Sequence, residues 1–225
     1  MPFSNSPTSR RRWIQLGMLA AASGIAVTQV GCLSMAAQVM HAAGMDLVPA
    51  QYEGLEKSTV AIVTVTDNSQ YTNDPAARTL SRRVGEELTV NVKDIKLVRE
   101  DLIEQYRDVH GYDSVDYREV GKEVGADKVL VIELTDLTLR DGMTLYRGRA
   151  DVFLQVVDVA TGNTVFKNSI DQYTFPKSTG QHSSETTEDR FRKLYLRVLA
   201  GEIVRMFYAY DSTELIAMDS MIASQ

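Results

Sequence analysis

Residues 59–65 read Thr-Val-Ala-Ile-Val-Thr-Val, apolar at successive positions rather than at alternate ones. That pattern predicts a strand covered on both faces. Asp74-Pro75 follows, a side-chain cap and a first-turn proline, and predicts a helix to about Asn91 with Leu80, Val84 and Leu88 on its inner stripe. A short strand is expected over 95–98. Leu102, Ile103, Tyr106 and Val109 then mark a second helix that stops at Gly111. Ser114 and Asp116 start a third, with Val120 and Val124 inward and Gly125 as its C-cap.

The second half changes period. Residues 128–139 begin with the apolar run Val129-Leu130-Val131-Ile132, a second buried strand, and Asp141-Gly142 turns the chain. Residues 146–159 form a long strand whose Arg147, Arg149 and Asp151 give it one solvated face. Residues 160–163 turn it back, and 164–175 return as its hairpin partner. Residues 176–186 are polar and read as a loop. Glu188 and Asp189 open a long helix with an apolar stripe of Phe191, Leu194, Tyr195, Val198, Leu199, Ile203, Met206, Phe207 and Tyr210. Such a stripe predicts a helix packed on the sheet.

The expected order is β-α-β-α-α-β-β-β-α. It implies an α+β (mixed α/β) domain, a mixed sheet covered by helices, over residues 58–212. Residues 33–57, small and aperiodic with Gly44 and Pro49, read as a tether, and 213–225 as a C-terminal tail.

The first 32 residues are of another kind. Arg10, Arg11 and Arg12 precede Trp13-Ile14, an uncharged Ala-rich segment runs over 16–27, and Val30-Gly31-Cys32 follows. No acidic residue occurs before Asp46. A basic start and a short apolar core have the form of an export signal. Residues 9–15 also resemble a twin-arginine signal, with Gln15 where lysine is usual, so the twin-arginine and general routes both fit. Cys32, the chain's one cysteine, ends a candidate lipobox in which Gln29 replaces the usual leucine. It reads as a lipidated N-terminus facing the periplasm. Cleavage after Ala36 and an uncleaved anchor remain alternatives. A lipid would hold the protein at the membrane, since each buried methylene contributes about 0.8 kcal/mol.

Charge narrows the partners. The chain carries a net −6. Setting aside the three leader arginines leaves 21 basic against 30 acidic residues, a net −9. An acidic body disfavours nucleic acid and electrostatic docking on anionic lipid. The body has no cysteine for disulfides or thiolate metal sites.

Motifs for chemistry are missing from the sequence. His41, His110 and His182 are scattered rather than paired for a metal. There is no nucleophile elbow, P-loop or dinucleotide fingerprint. Residues 67–74 are rich in oxygen ligands but lack the glycine and glutamate of a calcium loop. Asp113, Asp116 and Glu119 suit the start of a helix. No catalytic residue, metal or cofactor is therefore expected.

The segment 119–131, Glu-Val-Gly-Lys-Glu-Val-Gly-Ala-Asp-Lys-Val-Leu-Val, and the strand end Val157-Asp158-Val159-Ala160-Thr161-Gly162 resemble a group of bacterial envelope domains. Val98 to Leu102 is similar to the segment that leads into that group's second helix. The group includes the peptidoglycan-synthase activator LpoB, the curli secretion lipoprotein CsgG and the N-terminal domain of TolB. The resemblance covers about residues 58–210 and implies their fold. No segment is spare for pore hairpins, which disfavours a curli-type channel, and no propeller follows the body.

Together these features point to a non-catalytic, membrane-tethered envelope accessory or scaffold protein that binds another envelope component, in an LpoB-like assembly or activator role. An open edge in the antiparallel half could accept a partner strand. The alternative is a periplasmic small-ligand binding or sensing domain, its crevice past the carboxyl ends of the parallel strands at Asp67, Asn68, Thr135 and Asp136. An enzyme of unrecognised type is the remaining class.

Overall fold

A computed structural model describes residues 47–67, 74–111, 116–177 and 179–211. The leader residues Arg10, Arg11, Arg12, Trp13 and Cys32 lie outside the described residues, as do His41, Asn68, Asp113 and Ser114. Strand β1 (Thr59–Thr66) leads to helix α1 (Pro75–Asn91), strand β2 (Lys96–Leu97), and helices α2 (Glu100–His110) and α3 (Tyr117–Glu123). Strands β3 (Lys128–Asp141), β4 (Leu145–Asp158), β5 (Thr164–Phe175) and β6 (Gln181–His182) follow, then helix α4 (Glu188–Val204) and a 3-10 turn at Arg205–Phe207. The sheet runs β2-β1-β3-β4-β5, with β6 beside the start of β4. β1 is parallel to both neighbours, and the pairs from β3 onward are antiparallel. This is the α+β mixed sheet expected.

The strand alternation sorts the core into two layers. Val60, Leu130, Ile132, Leu154 and Val156 face α1 and α4, where they meet Leu80, Val84 and Leu88 of α1 and Tyr195 and Leu199 of α4. Ala61, Val63, Val129, Val131 and Val157 point the other way, onto Ile103 of α2 and Val120 of α3. That second layer thins along β4: Val157 belongs to it, whereas Phe153 is 37% exposed. The helix caps are those the sequence indicates. Asp74 accepts from Ala76 N at 2.8 Å and from the Thr66 hydroxyl at 2.6 Å, so one carboxylate closes both β1 and α1. Asp116 accepts from Arg118 N and Glu119 N at the start of α3. Gly125 (φ 71°) and Gly162 (φ 78°) take the left-handed conformations their turns need.

Four details differ from the sequence expectation. In α2, Leu102 and Val109 are 42% and 73% exposed, while Ile103 is buried. Residues 102 and 103 lie about 100° apart around a helix, so both cannot face the sheet. The expected loop over 176–186 contains β6, which extends the pairing of β4 at Leu145 and Tyr146. The last helix tightens into a 3-10 turn at Arg205 and does not run to Tyr210. Residues 51–57, expected as the end of the tether, pack on the body: Gln51 N and Tyr52 N both donate to Met206 O, and Leu55 is fully buried.

Candidate functional site

Past the carboxyl end of β1, the first turns of α1 and α4 and the middle of β3 surround a cleft of about 620 Å³. Thr66 and Asp67 supply one wall, Leu137 and Thr138 another, and Arg140, Glu188 and Arg192 the rim. Of the four residues expected at a crevice here, Asn68 lies outside the described residues and only Asp67 is on this wall. Asp67 lines it, and its carboxylate accepts from Asp136 N at 3.0 Å. Thr135 and Asp136 are not on its wall. They stand where the β3–β4 register shifts, with Asp136 at φ 53°. A bulge re-aims side chains in this way.

The charged groups of the cleft are engaged with one another. Glu188 receives Arg140 at 2.9 Å and Arg192 at 2.9 Å. The Arg140 guanidinium also lies 5.1 Å from the Tyr146 ring centre. Asp67 and Asp74 are both occupied by hydrogen bonds to the chain itself. Arg140, Glu188 and Arg192 were not expected as a cluster. The spacing of Glu188 and Arg192 by one helical turn was a legible signal, whereas Arg140 has no local mark. Among the described residues, no three His, Cys, Asp or Glu side chains group as metal ligands.

A second concavity lies at the β2 edge of the sheet, between α1 and α2. It measures about 520 Å³, with Ile62, Leu97 and Ile103 at its floor and Val90 on its wall. Its lining is mainly apolar, and Val90 is 82% exposed. Arg82, Glu86 and Glu100 rim it. No sequence motif had pointed to this groove. Val90 falls off the inner stripe of α1, and that displacement was the available signal.

The strand-end motif noted in the sequence is architectural. Asp158 accepts from Lys128 Nζ at 2.7 Å, from Thr161 N at 2.9 Å and from the Thr161 hydroxyl at 2.8 Å. The hydrogen bond from Lys128, then those from Thr161, hold its carboxyl well below the usual carboxylate range. Asp127 likewise accepts from Thr59 N at 2.8 Å and fixes the start of β1.

No protein-family model and no curated protein matches the sequence. Similar solved structures include the LpoB C-terminal domain from Salmonella enterica, 16% identical with a TM-score of 0.38 over 54% of this chain and 89% of that chain. They include lipoprotein GNA1162 from Neisseria meningitidis, 11% identical with a TM-score of 0.43 over 65% of this chain and 98% of that chain. The PelC dodecamer from Paraburkholderia phytofirmans is 14% identical with a TM-score of 0.40 over 72% of this chain and 91% of that chain. LpoB, one member of the group resembled in the sequence, is among these similar structures. Among the described residues, no helix is long and apolar enough to cross a membrane.

Proposed function

We propose that this protein is a non-catalytic accessory component of the bacterial envelope, held at the membrane through Cys32 and facing the periplasm, and that it binds another envelope protein. The observation that carries the reading is the apolar groove between α1 and α2. Its floor suits apolar side chains of a protein partner, with charged groups at the rim to set orientation. An LpoB-like assembly or activator role is the finer form of this reading and rests on the sequence resemblance alone.

A photo-crosslinking residue at Thr89, within the groove, tests it in intact cells. The expected result is a discrete adduct with one envelope protein, absent from a probe at Lys193 on α4 and lost when Val90→Glu is added. Equal adducts from both positions, or none from Thr89, would overturn the reading.

The second reading is small-ligand binding in the cleft, favoured by its place past the parallel strand ends and by Arg140 and Arg192 on its rim. A rise in thermal midpoint with a small anionic ligand, abolished by Arg192→Ala, would favour it.

A further inference from the structure

The edge of the sheet opposite the groove is β5. Among the described residues it pairs with β4 on one side and has no strand on the other, over 12 residues. A long edge strand is a template for another strand, and proteins usually block it with proline, a short length or an outlying charge. Here the Ser169 N–H donates to Asn168 Oδ1 at 2.8 Å, and Asn168 Nδ2 to Gln51 Oε1 at 2.6 Å, so pairing must replace the local bond at Ser169. β5 is long and has no proline. Its two charged residues are Lys167 and Asp171, both exposed, and neither forms an ion pair among the described residues. Ser169 lies midway between them, on the same face of the strand.

We propose that β5 pairs antiparallel with β5 of a second copy of this chain, about a two-fold axis at Ser169. In that register Lys167 of each copy lies opposite Asp171 of the other, and the small Ser169 meets itself. The two charges that would repel a uniform partner thus complement each other in this one. Opposite charges directly across a strand pair favour it, and like charges disfavour it. Neighbouring registers are worse. Placing the axis between two residues sets the core face of one copy against the outer face of the other. Moving it to Asn168 or Ile170 leaves both charges without a charged residue opposite. Moving it to Lys167 sets lysine against lysine, and moving it to Asp171 sets aspartate against aspartate. The strand itself ends the pairing: at Gln172, φ 49°, the chain bulges and its N–H donates to Asp151. The isologous contact joins two sheets and leaves the two grooves at the outer edges. A contact this short is weak in dilute solution, and tethering both copies to one membrane raises their effective concentration.

The full chain carrying Ser169→Cys, treated in intact cells with a short bis-thiol crosslinker, tests the inference. A covalent dimer is expected from Ser169→Cys and not from the parent or from Lys193→Cys. Adding Lys167→Asp should cut the dimer severalfold, and adding Asp171→Lys to that variant should restore it. Dimer no greater than from Lys193→Cys, a charge swap that fails to restore it, or crosslinking of Ser169→Cys to a different protein would each overturn the proposal. Val90→Glu leaves β5 untouched, so this test is separate from that of the groove.

Discussion

Tyr195 of α4 packs directly on Gly148 of β4, so closely that a methyl group on that glycine would overlap the tyrosine ring. The ring is fully buried, and its hydroxyl donates to Tyr173 O at 2.9 Å. Burial, with smaller effects of Tyr173 and Asp151, pushes the phenol up, so it stays a neutral donor. Gly148→Ala should therefore destabilise the domain by about 1–3 kcal/mol, the usual range for overpacking. Denaturant unfolding checks this, and an unchanged midpoint would mean that α4 moves off β4 at little cost.

Leu199 on the same helix is fully buried against the sheet. Leu199→Ala should cost about 2–5 kcal/mol in stability with no partner present. Val198→Ala, at a partly buried position, should cost less. If the two variants unfold alike, the stripe does not distinguish core from rim.

The strands and α1 were legible because their periods are strong and their ends carry specific residues. Asp74-Pro75 marked the start of α1, and the apolar run at Val129 marked a strand covered on both faces. The stripe of α4 was legible too. Leu196, fully buried, widens that stripe: it lies about 100° around the helix from Tyr195 and three residues before Leu199. What was hidden depends on contacts between distant segments. Arg140 meets Glu188 across 48 residues, and no local pattern announces it. Gly148 reads as an ordinary strand residue until Tyr195 is placed over it. Two-residue β6 is too short to show a period.

Asp74 joins β1 to α1 through two hydrogen bonds. Asp74→Ala should cost about 0.5–2 kcal/mol, the range for loss of a helix cap. Asp74→Asn keeps an accepting oxygen and should retain most of the stability. Thermal unfolding of both variants checks the order, and equal losses would assign the effect to charge rather than to capping.

Replacing Cys32 by serine removes the proposed site of lipid attachment. The variant should shift from the membrane fraction to the soluble periplasmic fraction, because the methylenes of the acyl chains supply most of the retention. Retention equal to the parent would point to an uncleaved anchor or to a partner that holds the body at the membrane.

Asp158 should make stability depend on acid. Its folded carboxyl is held below the usual range by Lys128 and then by Thr161, while in the unfolded chain it titrates at about 3.9. The unfolded state therefore takes up the proton first as pH falls. The contribution of the Lys128–Asp158 pair is fully present at neutral pH, begins to decline below about pH 4, and is lost as pH falls through the lower folded value. Asp158→Asn keeps an acceptor for Thr161 but gives up the charge. Its thermal midpoint should lie below the parent's at neutral pH, and the gap should narrow at about pH 3. A gap of the same size at both pH values would show that Asp158 acts through the shape of the turn rather than through its charge.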